Sequence, residues 1–277
     1  METQNPNNKI DFYIISDSIG ETASKLAKAA LAQFPTVTTV LHKFMFISNK
    51  ESADEILKEA TKRNGILLLT LVNNELAEYI ENYCEQHKLT YFNIMKPVLN
   101  EITKRTSKGP SKIVGAQHDL SEEYFERVSA MEFCMRYDDG KDPNGLIEAD
   151  IVLLGISRTS KTPLSMYLGN MGYKVANLPL IPENTIPKVL FEIDPKKIVG
   201  LTTSDTVVNL HRENRMKEYG LPSGTKYASM ERVNEELKFS SELYQKLGCL
   251  VVNTAERSIE ESASIIVQSL GLTNKVW

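Results

Sequence analysis

The sequence predicts an α/β protein in two parts: an N-terminal parallel-sheet α/β domain and a C-terminal α/β domain organised on a phosphate-binding loop. Three observations carry that expectation. Short apolar runs alternate with amphipathic stretches along the chain, the pattern of parallel strands joined by crossover helices. At 277 residues the chain is long for one domain and comfortable for two. One stretch, Ala149 to Pro163 (ADIVLLGISRTSKTP), runs from a hydrophobic strand through a polar loop into a helix start.

In chain order, a polar leader (METQNPNNK) precedes a strand at Ile10 to Ile15. The helix after it carries Ala23, Leu26, Ala27, Ala30, Leu31 and Phe34 on one face, and Pro35 marks its end. The pattern then predicts a strand at about 37–47, a helix at 52–63, an apolar run at 66–72, a helix at 74–87 and a strand near 89–94. The basic, polar stretch 101–110 reads as a loop or linker, which sets a first domain at 1–110. A single long helix follows, from about His118 to an Asp138-Asp139-Gly140 turn, capped by Ser121, with Tyr124, Phe125, Val128, Met131 and Met135 on its inner face. It defines a connecting helix region at 111–147, able to bridge the two halves. His118 and Asp119 read as loop and cap rather than as catalytic groups.

The second domain, 148–277, opens on the phosphate loop, and Leu164, Tyr167, Leu168 and Met171 follow it at helical spacing. Strands are expected at 174–181, interrupted by Pro179, and at 197–202, then a helix carrying Arg212 and Arg215. A long amphipathic helix at about 229–247, a strand at 249–253 and a last helix complete it. Ser258 and Glu261 of that last helix stand in capping-box spacing, with Ile259, Ala263, Ile266, Val267 and Leu270 facing inward. No internal repeat stands out.

The loop has the layout of G-x-x-x-x-G-K-[ST] with one departure, Ser160 in place of the second glycine. After Gly155, the backbone N–H groups of Ile156, Ser157, Arg158, Thr159, Ser160 and Lys161 would curl round a phosphate at a helix N-terminus. Lys161 would neutralise terminal phosphate oxygens, Arg158 adds a second cation, and the Thr162 hydroxyl would hold Mg²⁺. The bland alternative is an ordinary strand-turn-helix with Lys161 as a solvated cation. The strand before the loop and the helical spacing after it favour phosphate, and make this a P-loop kinase-like domain.

Other candidates are less specific. Ser16, Ser18 and Thr22, at the carboxyl end of the first strand, suit an anion or a helix cap equally, with Gly20 allowing a tight turn. Arg212 and Arg215 share a helical face and read either as a lid over phosphates or as a solvated stripe, their position after a strand favouring the lid. Asp205 and Asp17 are candidate general bases, although most loop aspartates only cap helices.

Composition narrows the class. Apolar residues make up 42% and charged ones 25%, as in soluble globular proteins. A net charge of −4 argues against a general nucleic-acid binder, so any basic site is local. Cys84, Cys134 and Cys249 lack metal-ligand spacing and read as reduced core residues. No apolar run approaches the roughly 18 residues that span a bilayer, and the polar start is not that of a signal peptide. The expected location is the cytoplasm, without a membrane partner.

Four stretches in order carry a resemblance: SDSIGETA near the start, YFERVSAMEF with DDG in the middle, GISRTSKTPLSMYL followed by GYKVANLPL, and SIEESA near the end. Together they closely resemble the pyruvate, phosphate dikinase regulatory protein family, whose sister group regulates phosphoenolpyruvate synthase. Ser160 belongs to that family's own loop pattern. The resemblance implies a bifunctional regulator. In one direction it transfers a phosphoryl group from ADP to a threonine near the dikinase's catalytic histidine; in the other it removes that group with inorganic phosphate (Pi), releasing pyrophosphate. ADP, Pi and Mg²⁺ are the implied small molecules, and Arg158, Arg212 and Arg215 are candidates for the second anion site. Alternatives are the same chemistry on phosphoenolpyruvate synthase, a non-catalytic nucleotide-sensing module, or an ATP-dependent small-molecule kinase. A homodimer is compatible with so many amphipathic helices.

Overall fold

The computed structural model describes residues 9–116, 122–220 and 226–272; the leader ahead of residue 9, and His118, Asp119 and Ser121, lie outside them. The chain divides into two compact units, Met1–Asp119 and Leu120–Trp277.

The first unit contains β1 (Lys9–Ser16), α1 (Glu21–Leu31), β2 (Thr38–Phe44), α2 (Lys50–Lys62), β3 (Ile66–Thr70), α3 (Asn74–His87), β4 (Thr90–Asn93) and α4 (Met95–Thr106). All strand pairs are parallel, in the order β2-β1-β3-β4. Because helices cover both faces, the central strands are apolar at consecutive positions. Tyr13, Ile15, Leu67 and Leu69 pack with α2 and α3 on one side, while Ile14 and Leu68 meet Ala23 and Ala27 of α1 on the other.

The second unit contains α5 (Glu122–Arg136), α6 (Gly145–Glu148), β5 (Ile151–Gly155), α7 (Lys161–Asn170), β6 (Val175–Pro179), β7 (Ile198–Thr202), α8 (Asp205–Glu218), α9 (Met230–Leu247), β8 (Leu250–Asn253) and α10 (Ile259–Ser269). Its sheet is again parallel, in the order β6-β5-β7-β8. Val152 and Leu154 face a core closed by α6 and α9, and Ile151 and Leu153 face one closed by α7 and α10. The two units thus repeat one connectivity, although no repeat is visible in the sequence. In each, the first strand lies inside the sheet and the chain leaves it to opposite sides, which makes its carboxyl end the switch point where open α/β sheets bind ligands.

Local signals account for several boundaries. Ser258 accepts from Glu261 N while the Glu261 side chain accepts from Ser258 N, a complete capping box on α10. Ser229 caps α9, which stops at Gly248 in the left-handed region (φ 61°).

The structure corrects four expectations. The 101–110 stretch is not all loop, since α4 continues to Thr106, supported by an Arg105–Glu101 pair at 2.8 Å, and closes on left-handed Ser107. On α5 the buried residues are Ala130, Phe133 and Cys134, whereas Tyr124, Phe125 and Met135 are exposed. Facing was misjudged because α5 packs on α7, where Gly169 lets the backbones approach: a Cβ there would lie 2.8 Å from Cys134 Sγ. The helix expected to connect the halves therefore contributes Phe133 and Cys134 to the second unit's cores. The inner stripe of α1 is only Ala23, Ser24 and Ala27, leaving Leu26 and Phe34 exposed. Finally, β2 ends at Phe44, because Phe46 and Ile47 turn away to bond the carbonyls of Ser18 and Ser16.

Among the described residues, no helix is long and apolar enough to cross a membrane. Cys84 and Cys134 are buried free thiols and Cys249 is partly buried.

Gly200 of β7 lets α9 approach closely. A Cβ there would lie 2.7 Å from the Tyr244 ring, whose hydroxyl sits 3.0 and 3.2 Å from the carbonyls of Leu201 and Leu154. Since the ring is pinned at its far end, Gly200→Ala should destabilise the protein by about 1–3 kcal/mol, read as a lower urea midpoint at unchanged slope.

Candidate active site

The loop between β5 and α7 is built by close approach and strain. Gly155 admits no side chain, since a Cβ would meet Thr159 Oγ1 at 2.4 Å. Thr159 is fully buried, and its hydroxyl donates to Ile156 O at 2.9 Å. Lys161 Nζ donates to the same carbonyl at 3.0 Å, so one acceptor fixes both ends of the turn. Arg158 (φ 77°) and Ser160 (φ 63°) occupy the left-handed region without being glycine, at about 1–2 kcal/mol each. Ser160 is the N-cap of α7 and makes no side-chain cap bond. The serine at the second glycine position thus adopts the backbone that glycine would adopt, and leaves the first-turn N–H groups of α7 to be met by something other than its own hydroxyl.

A cavity of about 630 Å³ opens over the loop, lined by Asp139, Arg158, Ser160, Lys161, Thr162, His211, Arg215 and Tyr227 among others. Lys161 is 6% exposed, and burial pulls its ammonium down to about 8, with Asp139 and Asp138 opposing that trend. Arg158 Nε is buried without a hydrogen-bond partner. An anion would give both cations what the protein leaves undone.

The carboxylates come from a turn that the sequence marks only as a helix stop. Tyr137 follows α5; Asp139 (φ 55°) and Gly140 (φ 68°) are both left-handed, and a Cβ on Gly140 would lie 2.7 Å from Leu178. Fully buried Asn177 of β6 clamps the turn, its Oδ1 accepting from Asp139 N at 3.1 Å and its Nδ2 donating to Asp138 Oδ1 at 2.6 Å. Thr162 Oγ1 donates to the same Asp138 oxygen at 3.0 Å. Asp139 is thereby aimed at the cavity beside Lys161. A hydroxyl and two carboxylates, hard oxygen donors next to a phosphate-type loop, fit Mg²⁺, which takes one or two carboxylates plus phosphate oxygens.

Arg212 is not the mobile cation its sequence position suggested. It is fully buried, paired to Glu236 at 2.5 Å, and donates to Tyr227 O at 2.9 Å and Ser157 O at 3.3 Å. Its guanidinium lies 4.6 Å from the centre of the Tyr227 ring, and the Tyr227 hydroxyl is 2.7 Å from Ser157 Oγ. It braces the loop from behind, whereas Arg215 is exposed and lines the cavity.

Each aspartate singled out as a base accepts from backbone amides of its own unit. Asp205 sits in the first turn of α8, where Ser204 is the cap, and its carboxylate accepts from Thr206 N at 2.7 Å; it is not among the residues lining the loop cavity. Asp17 belongs to the first unit, where its Oδ2 accepts from Val72 N at 2.6 Å and Asn73 N at 3.1 Å, tying the β1 loop to the β3 loop. There the N-cap of α1 is Gly20, so neither Ser18 nor Thr22 caps, and Ser16 Oγ donates to Thr70 O at 3.1 Å. The first helical residue after the β1 loop is Glu21, at the place Lys161 holds after β5. Asp139, His211 and Tyr227 escaped the sequence reading; only the Asp-Asp-Gly turn offered a signal, through its two adjacent carboxylates.

Lys161 also sets a pH-dependent stability. Its folded value of about 8 lies below 10.5, so between those pH values the unfolded chain holds the extra proton and stability rises with pH. Below pH 8 the penalty is complete, on the order of 3 kcal/mol. Lys161→Met should therefore stabilise the ligand-free protein at pH 7 by about 1–3 kcal/mol, after loss of the bond to Ile156 O. That gain should fade between pH 8 and 10.5 in paired urea titrations; a variant less stable at pH 7 would show that the ammonium is well solvated.

Residues 12–267 match the kinase/pyrophosphorylase family. Among curated relatives, "Putative pyruvate, phosphate dikinase regulatory protein 2" of Enterococcus faecalis is 50% identical over 94% of each chain. "Putative pyruvate, phosphate dikinase regulatory protein" of Lactobacillus helveticus is 47% identical over 98% of each chain. The protein of that name from Clostridioides difficile is 48% identical over 92% of this chain and 91% of its own. With a two-part α/β, kinase-like fold and a family match over nearly its whole length, the chain belongs to the kinase/pyrophosphorylase family.

Proposed function

We propose that this protein is a bifunctional regulator of pyruvate, phosphate dikinase in the cytoplasm: an ADP-dependent Ser/Thr kinase and a Pi-dependent, pyrophosphate-forming phosphorylase. The observation that carries the reading is the convergence of Asp139, Lys161, Arg158 and Arg215 on one cavity at a helix N-terminus. The relatives' names favour the dikinase over phosphoenolpyruvate synthase as target.

Both directions move a phosphoryl group between oxygens, so positioning and charge neutralisation supply most of the catalysis. The N–H groups at the start of α7 and the Lys161 ammonium hold the donor's phosphates, and Arg158 and Arg215 take the charge that a second phosphate adds. Asp139 accepts the threonine proton as the Thr–O–P bond forms and the ADP β-phosphoryl leaves AMP. In the reverse sense it returns a proton to the threonine oxygen as Pi takes the phosphoryl group and leaves as pyrophosphate. Thr162 and Asp138 would hold Mg²⁺, which supplies neutralisation of phosphate charge when bound. Arg212 serves the reaction only by holding Ser157 in place.

The test uses purified protein, Mg²⁺ and ADP labelled in the β-phosphate, with the dikinase and the synthase each carrying its phosphohistidine. Label should reach a threonine of the dikinase and leave as pyrophosphate when Pi is added; labelling of neither enzyme would overturn the reading. Asp139→Asn should lower transfer by about 10²–10⁴-fold while ADP binding, followed by calorimetry, is retained. Loss of binding equal to the loss of transfer would instead make Asp139 a binding group.

A further inference from the structure

The loop cavity has a neighbour of opposite charge. A second lobe of about 380 Å³ shares Ser157, Pro179, Ile181 and Tyr227 with it and adds Glu183, Arg232 and Glu236 of its own. On the loop side, Arg158, Lys161 and Arg215 outnumber Asp139. In the second lobe, Arg232 is surrounded by carboxylates: its Nε donates to Glu236 at 2.8 Å and its Nη1 to Glu235 at 2.9 Å. Both Nη atoms hold Glu183, at 2.7 and 2.5 Å. With Arg212 as the other partner of Glu236, three carboxylates face two guanidinium groups.

That balance repels phosphate and suits hydrogen-bond donors. The Arg232 fork fixes the Glu183 carboxylate as a flat, oriented pair of oxygens. The Glu183 side chain remains 59% exposed. The lobes have four walls in common, so they adjoin and one ligand can extend from one into the other.

We propose that the acidic lobe is the nucleoside subsite for the diphosphate held by the loop, with the ribose hydroxyls donating to Glu183. This rests on the reading of the loop cavity given above and deepens it: one site takes ADP across both lobes, and Pi or pyrophosphate in the cationic lobe alone. A basic side chain of the protein substrate is the competing occupant. A ribose diol matches the paired oxygens better, and its tether to the phosphates places it.

Calorimetric titration with Mg²⁺ present, of the wild type and Glu183→Gln, using ADP, 2′,3′-dideoxy-ADP and pyrophosphate, tests this. The wild type should bind dideoxy-ADP about tenfold more weakly than ADP, the scale of one charge-assisted hydrogen bond. Glu183→Gln should weaken ADP by a similar factor, abolish the difference between the two nucleotides and leave pyrophosphate unchanged. Equal binding of both nucleotides by the wild type overturns the assignment. So does an ADP to dideoxy-ADP ratio that survives in the variant, as a basic side chain in this lobe would leave it. Parallel loss of ADP and pyrophosphate would do the same, by making Glu183 a support of the loop. A wild type that binds neither ADP nor pyrophosphate would sink the proposed function itself, and this inference with it.

Discussion

The second unit depends on one buried guanidinium. Arg212 is fully buried, and taking its charge out of water is repaid only if its donors find partners. Its Nη atoms find theirs across the chain, in Glu236 on α9, the carbonyl of Tyr227 ahead of that helix and the carbonyl of Ser157 in the loop after β5, while its Nε is buried without one. One side chain of α8 thus ties the loop to two later elements, and the Tyr227 hydroxyl adds a second tie through Ser157 Oγ. Removing Glu236 would leave that charge unpaired in the interior, at a cost of roughly 3–5 kcal/mol. The loop's conformation is therefore a tertiary property, imposed from behind by residues more than fifty positions away.

Such bracing is needed because the loop concentrates unfavourable terms. Arg158 and Ser160 stand in left-handed backbone, Arg158 Nε has no partner, and the Lys161 ammonium is desolvated. Each runs to about 1–3 kcal/mol. They share one remedy, since a bound phosphate would pair the ammonium, satisfy the orphan N–H and meet the first turn of α7. Were an anion to bind, the donors would already be aimed before its charge arrived, which is what preorganisation means. The parallel sheet beneath, apolar on both faces, supplies the stability against which that strain is held.

What could be read from the sequence follows from what is local. The β5 strand, the helix after it and the capping box at Ser258 depend on neighbours within a few residues, and the structure has them where the pattern put them. Arg212 was misread because an arginine on a polar helix looks like a surface residue; its burial depends on Glu236, twenty-four positions later. Asp139 was missed for the same kind of reason, since its aim depends on Asn177 clamping a turn that sequence shows only as a helix stop. The α5 face went wrong because Gly169, not a hydrophobic period, decides which side of that helix meets α7. In α4 the error was opposite: Met95, Val98, Leu99 and Ile102 recur at helical spacing, but the helix buries none of them and its basic second half reads as a loop.

The repeated topology shows why the site must be argued from residues and not from connectivity. Both units place a loop after an inner strand, and in both the helix that follows starts from a left-handed cap, Gly20 at φ 66° and Ser160 at φ 63°. Each helix also has threonine second, Thr22 or Thr162. The backbone provision for an anion is thus similar. The charges differ: Glu21 stands first in one helix where Lys161 stands first in the other, and no arginine lies between Ser16 and Glu21 to match Arg158. Asp17 turns its carboxylate to the amides of Val72 and Asn73, and it lines a cavity of the first unit together with Ser16, Ser18 and Thr22. With the same fold under both loops, it is the side chains that set the two apart: the cations Arg158 and Lys161 stand on the second loop, and Asp17 and Glu21 on the first.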